Sequence, residues 1–171
     1  MFGYGSMWNA AIGPEVENDE EADIVRASGF SDELVGQRLV QAKSEAIVAC
    51  DRDGVIRLWN PGAERMFGFS RNEALGQTLD IIIPERFRSR HWDGFHTMMR
   101  TGQSRYADGA LLAVPGLRRD GSLISIEFTI APIRDESDEV VGLVSVIRDV
   151  TKTFEQLRAL RKEVERSGNG R

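Results

Sequence analysis

Ala46 to Cys50 and Val55 to Trp59 are two short apolar runs held apart by Asp51-Arg52-Asp53-Gly54, and Asn60-Pro61 follows at once. Each run has the length of a strand rather than of a helix. A polar turn ending in glycine reverses a chain readily, because glycine takes positive φ without steric cost. The pair therefore reads as a β-hairpin. Proline lacks the amide hydrogen that a first helical turn leaves unused, so Pro61 sets a helix directly behind the second strand. A chain that opens this way is a hairpin feeding helices.

The residues that follow extend the pattern. Ala63, Met66 and Phe67 give the first helix its inward contacts. Ser70 is placed to cap a further turn over Arg71 to Leu75, which stops at Gly76. Pro84 starts a longer helix with Phe87, His91, Phe95, Met98 and Met99 at periodic positions, and Gly102 ends it. Three strands come next. The first covers roughly Gly109 to Leu117, with Pro115 marking an edge or a bulge. After the turn Arg119-Asp120-Gly121, Ile124, Ile126, Phe128 and Ile130 alternate with Ser125, Glu127, Thr129 and Ala131. That period of two puts one face in the core and leaves one wet. The last strand, Val140 to Val150, has Val141, Leu143, Ser145 and Ile147 on one face. The expected fold is α+β: a five-stranded antiparallel sheet with helices on one face.

Two flanking helices complete the reading. Ser31 caps one whose apolar Leu34, Val35, Leu39 and Ala42 run to about Lys43. From Thr151, Phe154, Leu157, Leu160 or Arg161, and Val164 mark an amphipathic helix of about two heptads, short of a coiled-coil assignment by itself. The expected division is thus a disordered acidic extension over 1–30, a flanking helix over 31–43, a central domain over 44–151 and a C-terminal helix over 152–171.

Charge and composition narrow the function classes. Residues 1–40 hold eight acidic and two basic residues, enough to account for the net charge of −5. No apolar run approaches the about 20 residues of a membrane span. The N-terminus lacks a basic start followed by an apolar core, so no secretory signal is read, and the cytoplasm is the expected location. The single cysteine, Cys50, excludes an internal disulfide and a cysteine-based zinc site. Arg86, Arg88 and Arg90 are expected on the outer face of their helix, and no basic stripe with interleaved aromatics points to nucleic acid. Asp51, Asp53, Glu64 and Asp149 are spread over turns and caps. With no nucleophile–base pair or phosphate loop, the chain is not expected to be an enzyme.

Over residues 41–151 the chain resembles PAS domains, which are sensor modules. The resemblance is carried by Asp53-Gly54, Trp59-Asn60-Pro61-Gly62-Ala63-Glu64, Phe67-Gly68-Phe69-Ser70, Glu73-Ala74 and Gly76. Pro84-Glu85, Thr101-Gly102, Arg119-Asp120-Gly121-Ser122 and Arg148-Asp149-Val150-Thr151 complete it. It implies a hollow between sheet and helices that holds a small molecule or stays empty. It also implies that Asp149-Val150-Thr151 hands movement to the helix behind it.

The resemblance bears on the cofactor too. Flavin-binding photoactive relatives carry a reactive cysteine on the helix after the short turns. The corresponding stretch, Ala74 to Ile83, has none, so no flavin photocycle is expected. The segment Pro84-Glu85-Arg86-Phe87-Arg88-Ser89-Arg90-His91 resembles the proximal helix of oxygen-sensing haem PAS domains of rhizobial sensor kinases. There a histidine after Arg-Ser-Arg ligates the iron. This implies haem b, with His91 as iron ligand beside Phe87, Phe95 and Met98. Leu112, Ile126, Phe128, Leu143, Ser145 and Ile147 are the expected walls. His96, five residues on, points elsewhere. The haem sensors place an arginine or methionine on the next strand, where Ala110-Leu111-Leu112 stands here. That departure leaves carbon monoxide, nitric oxide or a different apolar ligand open. In the other reading, His91 only caps or hydrogen-bonds.

Two functions are therefore expected to compete. In the first, a sensory domain binds a small ligand and signals through its C-terminal helix to a downstream protein in trans. In the second, a ligand-free module homodimerises through 31–43 and 152–164.

Overall fold

The computed structural model describes residues 29–102 and 112–168. Residues 1–28 of the expected extension over 1–30, the strand start at Gly109 to Leu111, and residues 169–171 lie outside them. The chain forms two units, Met1–Leu39 and Val40–Arg171. In the first, α1 (Asp32–Val40) is capped by Ser31, whose Oγ accepts from the Leu34 amide at 3.1 Å. The helix stops before Lys43. The carbonyls of Ala42, Lys43 and Ser44 instead accept side-chain hydrogen bonds from Asn60 and Arg65.

The second unit runs β1 (Ala46–Asp51), β2 (Ile56–Trp59), α2 (Pro61–Phe67), α3 (Arg71–Ala74), a 3-10 turn (Leu79–Ile82) and α4 (Glu85–Thr101). It ends with β3 (Leu112–Leu117), β4 (Leu123–Arg134), β5 (Val140–Asp149) and α5 (Thr151–Gly168). The sheet order is β2-β1-β5-β4-β3, every pair antiparallel. Pro115 lies on an edge strand, as its missing donor requires.

Local chemistry explains the joints. In the first hairpin, Asp51 Oδ1 accepts from the amides of Asp53 and Val55, and Gly54 sits at φ 73°. Ser70 and Glu73 cap each other's backbone in a capping box at α3. The outer edge of β2 is not bare. The Gly76 and Leu79 amides donate to Ile56 and Gly54, and Gln77 accepts from Ile56.

The core lies between the sheet and α2–α4 and forms two clusters. One gathers Ala46, Val48, Ile56, Trp59, Met66, Phe67, Ile124, Ile126 and Ile147. The other gathers Cys50, Phe95, Met98, Val140 and Leu143. Val140 rather than Val141 joins this core. The pairing passes from Ile133↔Gly142 to Arg134↔Val140, so Val141 is an extra residue that shifts the alternation. Arg88 also departs from its expected outward position. It turns back to donate to the carbonyls of Ile83 and Asp80.

Candidate ligand site

α4 sets Phe87, His91, Phe95 and Met98 on one stripe, four, four and three residues apart. Phe95 and Met98 are buried, while Phe87 and His91 are half-buried. The His91 ring stacks on Phe95 at 6.1 Å and meets the edge of Trp92 at 5.1 Å. Its Nδ1 is buried without a hydrogen-bond partner, alone in this among the side-chain nitrogens and oxygens of the described residues. Buried polar atoms are nearly always paired, so an orphan marks a place where something else can bind.

Burial pushes the His91 pKa below its ordinary 6.5; the Asp80 charge works against that and His96 adds to it. His91 is therefore a neutral imidazole near pH 7. The unfolded chain takes up this proton before the folded chain does, so stability is full above about pH 6.5 and falls as pH drops below it. His91→Phe is expected to flatten that limb of the stability curve, measured by urea unfolding between about pH 7 and pH 5. An unchanged limb would place the titration elsewhere.

Opposite α4, the inner face of the sheet is unevenly covered. Leu143 and Ile147 on β5 are 6% and 4% exposed, yet Ser145 between them on the same face is only half-buried. Its register partners on the two neighbouring strands are Val48 and Ile130, and Ile130 is half-buried too, as is Phe128. These residues sit between the two core clusters. Phe128 packs on the first cluster and Ile130 on the second, so the Ser145 hydroxyl lies at the seam where the two meet.

The expected site residues thus separate. Phe95, Met98 and Leu143 pack together, whereas Ile126, Ile147 and Phe128 belong to the other cluster. Leu112 is in register with Phe128. Ala110 and Leu111 lie outside the described residues. His96 is exposed, stacked on Trp92. Trp92 was not among the expected site residues. Its Nε1 donates to Asp80 Oδ1 at 2.9 Å, and its ring lies where a Cβ on Gly54 would be, at 2.3 Å. A helix stripe counted from Phe87 misses it, since it falls one position off. The Cys50 thiol is buried, and burial first pushes its pKa up to about 11, so it is an unreactive core residue. Among the described residues no group of three or more His, Cys, Asp or Glu could hold a bare metal ion.

A neutral imidazole with an orphaned nitrogen, in apolar surroundings, has the donor chemistry that a haem iron takes. The residues present therefore fit that group. An open depression of about 600 Å³ elsewhere, lined by Arg65, Arg118 and Arg119 among others, takes no residue from α4. All three of these guanidiniums are engaged by protein groups.

At the exit from the sheet, Asp149 Oδ1 accepts from the Thr151 amide and hydroxyl, and Oδ2 accepts from Arg118 at 2.8 Å. Burial alone would raise the Asp149 carboxyl, but Thr151 and Arg118 outweigh it and hold it below the usual range. Thr151 Oγ1 in turn accepts from the Ser125 amide. The first turn of α5 is thereby fixed to the start of β4.

Comparison with known proteins bears on the whole unit. A family model described as the PAS fold matches residues 36–150. Sensor protein FixL of Bradyrhizobium diazoefficiens is 32% identical over 121 residues, covering 70% of this chain and 24% of that protein. Cell-division control histidine kinase PdhS of Brucella abortus is 30% identical over 156 residues, covering 89% of this chain and 14% of that protein. The chain thus spans a quarter or less of the length of these curated relatives. Among solved structures, the PAS domain of a protein from Colwellia psychrerythraea is 26% identical with a TM-score of 0.59, covering 70% of this chain and 98% of that one.

Proposed function

The chain belongs to the PAS family, and from that premise we propose that it binds a small ligand beside His91, between α4 and the sheet, and signals through α5. The observation that carries this reading is the buried, unpaired Nδ1 of a neutral His91 set against the rings of Trp92 and Phe95. Haem b is the ligand to test first. His91 would hold its iron, with Phe87, Phe95 and Met98 beside it and Phe128, Leu143 and Ser145 on the sheet. Bound there, haem would supply an iron centre that responds to gas or redox state. His91 supplies a neutral donor, and the aromatic side chains around it keep water from competing for it.

Signalling follows from linkage. A ligand shifts α5 only by its differential affinity for two states of the domain. Relatives named as a sensor protein and a histidine kinase support a downstream signalling protein or effector domain as the recipient. We read the module as non-catalytic in itself.

A ligand-free dimerisation module is the second reading. It is favoured by α5, where Phe154, Leu157, Leu160 and Val164 are 41–71% exposed in a row at helical spacing.

The deciding experiment is an absorption spectrum after expression with excess haem precursor and removal of unbound haem. A Soret band near stoichiometric occupancy that shifts with reduction and carbon monoxide is expected. His91→Ala is expected to abolish it while the fold persists by circular dichroism. An unchanged haem spectrum in that variant would sink the ligand assignment. A protein-only spectrum with a dimer mass by light scattering supports the second reading.

A further inference from the structure

We propose that Arg118 is a clasp that couples α2 to the start of α5 without passing through the central strands of the sheet. This rests on the reading that α5 is the output helix.

Arg118 stands at the end of β3, before the turn to β4. One guanidinium reaches in two directions. Its Nε donates to the carbonyl of Met66, in the last turn of α2, at 2.9 Å. Its other arm bonds Asp149 at 2.8 Å. Asp149 holds the Thr151 amide and hydroxyl, which open α5. The path from α2 to α5 is therefore a carbonyl, a guanidinium, a carboxylate and an amide. It contains no strand-to-strand pairing.

The surroundings fix the α2 end of this path. Gly68, at φ 81°, closes α2 by donating its amide to Glu64. The Arg119 amide donates to the Phe67 carbonyl, and the Arg119 side chain pairs with Glu73 of α3. A displacement of α2 or α3 thus moves the backbone that carries Arg118. The planar fork of arginine suits this double contact. A lysine ammonium keeps the charge but lacks the fork that serves a carbonyl and a carboxylate at once.

The test perturbs one end and reads the other. Gly68→Ala strains the left-handed C-cap of α2 and loosens its last turn. Amide hydrogen exchange by NMR at Thr151 and Phe154 reads the first turn of α5, with Val48 on β1 as the reference for global stability. In the otherwise native chain, Gly68→Ala is expected to speed exchange at Thr151 and Phe154 several-fold relative to Val48. Arg118→Met is expected to speed it by roughly tenfold, the scale of one lost charge-assisted hydrogen bond. In the Arg118→Met background, Gly68→Ala is expected to add nothing at α5. Arg118→Lys is expected to restore protection partly but not the response. If Gly68→Ala acts on Thr151 and Phe154 equally with and without Arg118, the clasp is overturned. If it acts on neither, the clasp is overturned as well. Both outcomes are read without any ligand, so they stand apart from the haem spectrum.

Discussion

Asn60→Ala is expected to destabilise the PAS unit by about 3 kcal/mol, read as a shifted urea midpoint with an unchanged slope. Asn60 is 1% exposed and, among the described residues, the one polar or charged residue in the buried set. Its Oδ1 accepts from the amides of Ile47 and Ala63, both at 2.8 Å. Its Nδ2 donates to the carbonyls of Ala42 and Glu45, both at 3.0 Å. A single side chain thus caps α2, fixes the start of β1 and holds the segment before it. Alanine would strand two amides in the interior, each costing about 1–3 kcal/mol, and leave the Ala42 and Glu45 carbonyls without their donor. The loss of the cap alone costs about 1 kcal/mol. A shift below 1 kcal/mol would mean that water replaces the side chain and that the network is not cooperative. Asn60→Asp separates the two halves. It keeps both accepted bonds but sets a carboxylate oxygen against two carbonyls, so it is expected to be no more stable than the alanine variant near pH 7.

The sequence carries part of Asn60's role and not the rest. Asn-Pro before an apolar helix reads as a cap, because a cap bonds three residues along. The contacts to Ala42, Glu45 and Ile47 lie 13 to 18 residues away and leave no local pattern. The same division runs through the fold. The first hairpin, the cap at Ser70 and the glycine stop at Gly102 are short-range and were legible. The exchange of Val141 for Val140 in the core was not, because an extra residue in a strand is defined only by its partner strand. Arg88 reads as an outward charge, yet its partners, the carbonyls of Ile83 and Asp80, are set by the packing of α4. At the site, the stripe of α4 was legible down to His91. The covering of the sheet opposite it was not, since alternation says which face a residue is on and not how well that face is filled. This is why Leu143 and Ser145, alike in the sequence reading, have different surroundings.

Gly142→Ala is expected to destabilise the chain by about 3 kcal/mol or more through a single added methyl group. A Cβ at Gly142 would lie 2.3 Å from the Cys50 carbonyl oxygen, on the backbone of β1. Backbone cannot rotate aside as a side chain can. β1 pairs β5 through Cys50↔Leu143 and Asp51↔Gly142, so relief requires parting the two strands at the end that carries Cys50, Leu143 and Val140. Those residues pack with Phe95 and Met98, so the strain reaches the helix that bears His91. Gly94 is the control. It lies inside α4 with nothing within 4 Å of an added Cβ. Gly94→Ala is therefore expected to stabilise by up to about 1 kcal/mol, through helix propensity and a less free unfolded chain. Thermal unfolding of the two variants side by side tests the pair. Opposite shifts support the close approach of β1 to β5 beside the bulge. A Gly142→Ala protein as stable as the wild type would mean that the strands part there at little cost, and that the end of the sheet packed against α4 is itself a movable element.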